Sequence, residues 1–157
     1  MKDSNSAEEL YTGKASLCQK VFIGFLHWDK QLANIFKKSS YLQSNIKVLD
    51  AGCGTGVVTK SLYQIAEEKS YCGVQFYAFD LTESMLEIFR KWITQSQVNN
   101  IKLAKTDVLD TKSLPIEWRD FDLIISSAML EYLPREKVKD ALTNLRQCLD
   151  QKAKSWL

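Results

Sequence analysis

The stretch VLDAGCGTGVVTKSL, Val48–Leu62, places three glycines at alternate positions directly after an apolar run that ends in an acid. The apolar run predicts a buried β-strand, and the residues after the glycines predict a helix. Glycine tolerates positive φ and lets a ligand approach the backbone closely, because it has no Cβ. A helix that begins at such a turn directs its N–H groups and the positive end of its dipole at a bound group, which favours an anionic group there. The stretch therefore predicts a strand–turn–helix unit that binds a ligand.

The length and composition indicate one ordinary globular domain. A chain of 157 residues is long enough for a single core and too short for two domains. Its 21 basic and 19 acidic residues are scattered, so there is no strong signal for nucleic-acid binding. The longest apolar stretch, VFIGFLHW, is far shorter than the roughly 20 residues that a membrane helix needs. We therefore expect no membrane segment.

The cysteines and the histidine do not form a metal-binding pattern. The four cysteines are far apart and include no CxxC pair, and the only histidine is His27. This spacing favours neither a zinc site nor a disulfide framework. Isolated thiols of this kind are typical of small buried side chains in a reducing compartment. We therefore expect no metal and a cytoplasmic location.

Predicted strands and helices alternate along most of the chain. Residues 8–38 have helical apolar spacing and predict two or three helices. Residues 107–120 predict a loop or one short turn. Strands that alternate with helices of this length favour an open parallel sheet with helices on both faces, an α/β fold. The predicted strands are Ile46–Leu49, Gln75–Phe79, Ile101–Ala104 and Phe121–Ser126, and the predicted helices that follow them are Val57–Glu68, Glu83–Gln95 and Arg135–Leu149.

The glycine spacing distinguishes two kinds of nucleotide-like ligand. The dinucleotide fingerprint G-x-G-x-x-G would need a glycine at position 57, where the sequence has Val57. The observed pattern, D-x-G-x-G-x-G from Asp50 to Gly56, instead resembles the first motif of class I S-adenosylmethionine-dependent methyltransferases. A nucleotide-binding dehydrogenase is therefore the less favoured interpretation.

Three later motifs extend this resemblance. The second strand ends in FYAFD at Asp80, KTDVLD after the third strand contains Asp107, and FDLIISSAMLEYLP is similar to the fourth strand and its loop. Together the motifs cover residues 46–149 in the family's order. The resemblance implies a Rossmann-like methyltransferase fold that binds S-adenosylmethionine and transfers its methyl group.

The resemblance also implies a set of cofactor-binding residues. Asp80 would accept hydrogen bonds from both ribose hydroxyls, because a carboxylate offers acceptors for both. Asp107 would accept from the adenine amino group, with Val108 beside the ring. The full set is Asp50, Gly52, Gly54, Gly56, Asp80, Leu81, Asp107, Val108 and Ser126.

The remaining roles concern the face of the adenine ring and the amino-acid end of the cofactor. Leu81 would pack against the face of the adenine. Gly52 and Gly54 would approach the amino-acid end, and Asp50 would lie near its ammonium group. Ser126 would place a backbone carbonyl near the same ammonium.

No catalytic base follows from the sequence. Relatives often have a histidine in a pattern like E-H-L-P after the fourth strand, but here the residues are Glu131, Tyr132, Leu133 and Pro134. Glu131 or Tyr132 could orient an acceptor, and Tyr132 could equally form a wall of the cofactor pocket. His27 could be a core or surface residue or could face the active site. The catalytic residues stay unassigned.

The resemblance divides the chain into two segments. Residues 1–45 would form a helical lid, and residues 46–157 a methyltransferase core that we expect to be truncated, with its C-terminal strands missing. Candidate lid residues, which could equally pack on the sheet, are Tyr11, Phe25, Trp28 and Tyr41.

Two functions follow from this division. The first is methyl transfer to an unidentified acceptor, expected to be a small molecule. The alternative is a domain that binds the cofactor without transferase activity. Neither the acceptor nor the oligomeric state follows from the sequence.

Overall fold

Four strands and three helices alternate along residues 34–149, the part of the chain that the computed structural model describes. Two short 3₁₀ helices, Val108–Ser113 and Leu130–Tyr132, lie in loops after β3 and β4, and residues 34–38 are helical. The strands are β1 (Lys47–Ala51), β2 (Gln75–Asp80), β3 (Ile101–Lys105) and β4 (Leu123–Ile125), and the helices are α1 (Val57–Glu68), α2 (Glu83–Gln95) and α3 (Arg135–Arg146).

The strands form one parallel sheet in the order β3-β2-β1-β4. β1 pairs with strands on both sides, so that Val48 lies beside Phe76 of β2 and beside Leu123 of β4. The direction of strand addition reverses at β1, and ligands of open α/β sheets bind outside the carboxyl ends of the strands at such a point. The predicted Rossmann-like open parallel sheet is confirmed.

Alternate residues of the strands face two separate hydrophobic clusters, one on each side of the sheet. Val48 and Phe76 face the cluster that α1 and α2 cover, whereas Leu49 and Tyr77 face the cluster that α3 covers. Because side chains of a strand alternate in direction, central strands buried on both faces are apolar almost throughout. The helices therefore cover both faces, as predicted.

The last predicted strand and helix are both shorter than the sequence indicated. β4 begins at Leu123 instead of Phe121, and α3 ends at Arg146 instead of Leu149. Phe121 forms an isolated parallel bridge with Leu149, and its N–H donates to the carbonyl of Cys148 at 3.0 Å. Leu149 pairs with another segment of the chain, so it cannot also extend the helix.

The segment between β3 and β4 contains more regular structure than a plain loop. Asp107 caps the 3₁₀ helix Val108–Ser113, because its Oδ1 accepts the N–H of Leu109 at 2.8 Å. The helix is interrupted at Asp110, where φ is −130° and ψ is 53°. The segment was predicted to be a loop or one short turn, and the structure has a longer helical segment of six residues there.

Residues 1–33, which are most of the predicted lid, and the last residues lie outside the described residues. Tyr11, Phe25, His27 and Trp28 belong to that part of the chain, and so do residues 150–157. Tyr41 is within residues 34–149, and the residue is 44% exposed. Among the residues with described structure, no helix has the length and apolar character required to cross a membrane.

Candidate functional site

The glycine turn joins β1 to α1 and is attached to β2. Gly52, Gly54 and Gly56 have φ values of 75°, 53° and 82°, in the left-handed region that glycine adopts readily. The N–H groups of Gly52 and Cys53 both donate to the carbonyl of Phe79, at 2.9 and 3.0 Å. The turn therefore has a fixed position relative to the end of the second strand.

The three glycines have different surroundings. A Cβ on Gly56 would lie 2.5 Å from ring carbons of Phe89, and one on Gly52 would lie 2.5 Å from the Cβ of Met129. A Cβ on Gly54 would have no neighbouring atom within 4 Å. Packing against the protein itself thus explains Gly56 and Gly52, whereas Gly54 borders open space that a ligand could approach.

Asp80 connects the glycine turn to the end of β2. Its Oδ2 accepts the N–H of Gly54 at 2.8 Å, and its Oδ1 accepts the N–H of Thr82 at 2.8 Å. A carboxylate has about four acceptor positions, so these two bonds leave capacity for further donors. The residues that the sequence singled out at the first and second strands are therefore neighbours in space.

Asp50 is a buried carboxyl group at the end of β1, only 2% exposed. Its Oδ2 accepts the hydroxyl of Thr59 at 2.7 Å, and its buried Oδ1 has no hydrogen-bond partner among residues 34–149. Burial raises the pKa of Asp50 to about 6, hydrogen bonds from Thr59 oppose this, and the charge of Asp80 adds to it. A buried acceptor without a donor is uncommon in folded proteins, and this one is suited to a cationic donor.

Asp107 lies at the end of β3, beside the same edge of the sheet. Its neighbour Thr106 donates its N–H to the carbonyl of Asp80 at 3.0 Å, which ties the end of β3 to the end of β2. Asp107 is half-buried and Val108 is buried. Acids therefore close three adjacent strands at one edge.

The loop after β4 contributes Ser126 and one residue that the sequence analysis missed. Ser126 is half-buried, and its hydroxyl is a buried group without a partner in the described part of the chain. Ala128 has a positive φ of 65°, which is uncommon for a residue with a Cβ. Met129 follows and lies against Gly52. The one signal for this contact was that position 52 has no side chain.

The other residues near this edge do not define a catalytic group. Leu81, after Asp80, is half-buried, and Glu131 and Tyr132 are exposed. Within the described ranges, no three His, Cys, Asp or Glu side chains are grouped so that they could hold a metal ion. The site is therefore a set of binding groups: a glycine turn and three acids.

Comparison with known proteins assigns this arrangement to a family. Residues 48–152 match the methyltransferase domain family. A malonyl-[acyl-carrier protein] O-methyltransferase from Priestia megaterium is 32% identical over 94 residues, which cover 60% of this chain and 30% of that protein. The chain belongs to the class I S-adenosylmethionine-dependent methyltransferase family.

Two solved structures have the same fold. PKMT2 from Rickettsia typhi, in complex with AdoHcy, is 29% identical with a TM-score of 0.56, and the match covers 68% of this chain and 19% of that one. Magnesium protoporphyrin IX methyltransferase from Synechocystis PCC 6803, with bound SAM, is 21% identical with a TM-score of 0.58, and the match covers 78% and 52%. The chain spans less than half the length of the curated relatives that it matches.

Because Gly54 and Gly56 have different surroundings, replacing each of them by alanine should lower the free energy of unfolding by different amounts. Gly56→Ala should lower the free energy of unfolding by about 2–5 kcal/mol, because left-handed strain and overpacking against Phe89 add. Gly54→Ala should lower it by about 1–2 kcal/mol, because strain acts alone. Urea unfolding of both variants measures the difference, and equal losses would contradict the packing role of Gly56.

The burial of Asp50 predicts that the free energy of unfolding decreases as the pH rises. Its pKa is raised from 3.8 to about 6 on folding, so the folded state holds the proton more tightly and loses stability as pH rises through this window. One pKa unit corresponds to about 1.36 kcal/mol. The free energy of unfolding of Asp50→Asn, relative to that of wild type, should therefore rise by about 2 kcal/mol between pH 4.5 and 7.5. Urea unfolding at both pH values measures this gain. Asp140→Asn, an exposed change of equal charge, is the control, and a constant difference between Asp50→Asn and wild type would contradict the penalty.

Proposed function

We propose that this chain binds S-adenosylmethionine at the carboxyl ends of β1, β2 and β3, and that the protein transfers the methyl group to a small-molecule acceptor. The observation that supports this best is the 2.8 Å hydrogen bond from the Gly54 N–H to the Asp80 carboxylate. It brings the proposed sites for the amino-acid end and for the ribose to one edge of the sheet. Membership of the family supports the choice of cofactor.

The residues at the end of β1 fit the cationic end of this cofactor. The unpartnered Oδ1 of Asp50 is an acceptor that an ammonium group would satisfy, and the open space beside Gly54 permits close approach of a ligand. Placing a positive group beside a buried carboxylate also offsets the cost of burying its charge. The backbone carbonyl of Ser126 would be a second acceptor for the same ammonium.

The residues at the ends of β2 and β3 fit the adenosyl part. The acceptor capacity that remains on Asp80 would serve the two ribose hydroxyls. Asp107 would accept from the adenine amino group, with Val108 beside the ring and Leu81 against its face. Gly52 and Gly56 would act by shaping the turn, since their surroundings are side chains of the protein.

The same contacts argue against a dinucleotide. A pyrophosphate needs N–H donors at the glycine turn, but the N–H of Gly54 already donates to Asp80. The carboxylates of Asp50 and Asp80 would also repel a phosphate group. The charge of the site thus favours a sulfonium compound over NAD.

When bound, S-adenosylmethionine would supply a methyl group on a good leaving group. The part left to the protein is to align the acceptor with this methyl group and to exclude water. Glu131 and Tyr132 are exposed in the loop after β4, and either would orient an acceptor in this proposal. We assign no catalytic base.

The acceptor is proposed to be a small molecule in the cytoplasm. The formal net charge is only +2 and the basic residues are scattered, which does not favour a nucleic-acid acceptor. Among the described residues, Cys53, Cys72 and Cys148 are free thiols, which supports a reducing compartment. Because the Priestia megaterium relative is named for a malonyl acyl-carrier substrate, a malonyl thioester belongs in any acceptor panel.

Binding of the demethylated product tests the cofactor site without requiring an acceptor. Calorimetry should detect S-adenosylhomocysteine but not NAD, and Asp80→Ala should weaken the affinity about 10- to 150-fold, the scale of hydrogen bonds to a charged group. Asp140→Asn, a charge change on the exposed face of α3, should bind like wild type. Unchanged affinity in folded Asp80→Ala would contradict the ribose role, and NAD binding would contradict the proposed ligand.

The alternative is a domain that binds the cofactor without transfer. It has support because the described residues at this edge of the sheet are binding groups, and none of them is assigned as a catalytic base. Release of S-adenosylhomocysteine from S-adenosylmethionine with a panel of small acceptors would establish transfer. Tight binding with no release across that panel would favour the alternative.

A further inference from the structure

Asn144 of α3 is hydrogen-bonded to the loop that follows β3. Its Nδ2 donates to the carbonyl of Val108 at 3.1 Å and to the carbonyl of Leu109 at 3.0 Å. Because both partners are acceptors, only the nitrogen of the amide can face them. One half-buried side chain thus fixes two consecutive peptide groups of a distant segment.

These two peptide groups follow the acid that is proposed to recognise adenine. Asp107 itself accepts the N–H of Leu109 at 2.8 Å, so the N–H and the carbonyl of Leu109 are both fixed. The 3₁₀ helix is interrupted at Asp110, one residue later. Because so short a turn has few internal hydrogen bonds, its orientation depends on contacts from outside.

Asn144 is not needed to attach α3 to the sheet. Ala141 and Leu145, on the same helix, are 0% and 6% exposed and pack in the cluster with Leu49 and Phe121. This apolar contact would remain if the amide of Asn144 were removed. The amide therefore acts on the loop more than on the helix.

We propose that Asn144 is a positioning residue for recognition of the adenine base. It holds Asp107 and Val108 in the orientation in which they contact the 6-amino group and the ring. The proposal rests on the proposed S-adenosylmethionine site. It adds Asn144 of α3, which is 36 residues from Val108 along the chain and belongs to none of the four quoted motifs, to the determinants of base specificity.

The test compares two ligands that differ along the edge of the base that Asp107 would recognise. S-inosylhomocysteine has an oxygen in place of the 6-amino group of S-adenosylhomocysteine, and its N1 carries a hydrogen. Calorimetry with Asn144→Ala should show about tenfold weaker binding of S-adenosylhomocysteine, the scale of one or two hydrogen bonds, and little change for S-inosylhomocysteine. The ratio of the two affinities should therefore fall, which a general loss of stability would not produce.

Two further variants sharpen the comparison. Asn144→Asp keeps the shape of the side chain but places an oxygen against both carbonyls, so the ratio should fall at least as far. Thr143→Ala is the control, because that hydroxyl donates only to the carbonyl of Lys139 within α3, and the ratio should stay at the wild-type value. Since the aspartate variant preserves packing, it decides the test if the alanine variant fails to fold.

Hydrogen exchange of the ligand-free protein gives an independent readout. The amides of residues 108–113 should exchange faster in Asn144→Asp, with those of α1 unchanged. An unchanged ligand ratio in folded Asn144 variants, or equal acceleration in α1, would overturn the positioning role. Wild-type protein that binds neither ligand would instead overturn the proposed function, and base recognition with it.

Discussion

The burial of the Asp50 carboxyl group with one oxygen unbonded is the constraint on which the site depends. β1 pairs with strands on both sides, which fixes the backbone of Asp50 in the centre of the sheet. α1 supplies the Thr59 hydroxyl to one oxygen only, and burial raises the pKa of the group to about 6. A buried charge without a partner lowers the stability of the free protein. A bound cationic ligand would pair with the carboxylate and offset this cost, which would favour binding.

The parts of the structure that depend on local sequence were predictable. The bounds predicted for α1 and α2 agree with the structure, because apolar periodicity and the glycine turn are properties of short segments. The location of Gly54 and Asp80 at one edge of the sheet follows from the predicted parallel strands, since the carboxyl ends of parallel strands share one edge. The hydrogen bond between them was not predicted.

Contacts between distant segments could not be predicted. The hydrogen bonds from Asn144 to the loop after β3, and the packing of Met129 on Gly52, join segments whose relative placement depends on the whole sheet. The early end of α3 has the same origin, because Leu149 pairs with Phe121. Gly56 was predicted to contact the ligand because it belongs to the glycine motif. In the structure it packs against the core residue Phe89 instead.

The most direct test of this account is the titration of Asp50 itself, followed by the carbon-13 resonance of its carboxyl group and assigned with Asp50→Asn. In the free protein the pKa should be about 6, because burial disfavours the charged form. Saturation with S-adenosylhomocysteine should lower that pKa clearly, because the ammonium of the ligand would stabilise the carboxylate. A titration curve that stays the same in the saturated protein would contradict the account.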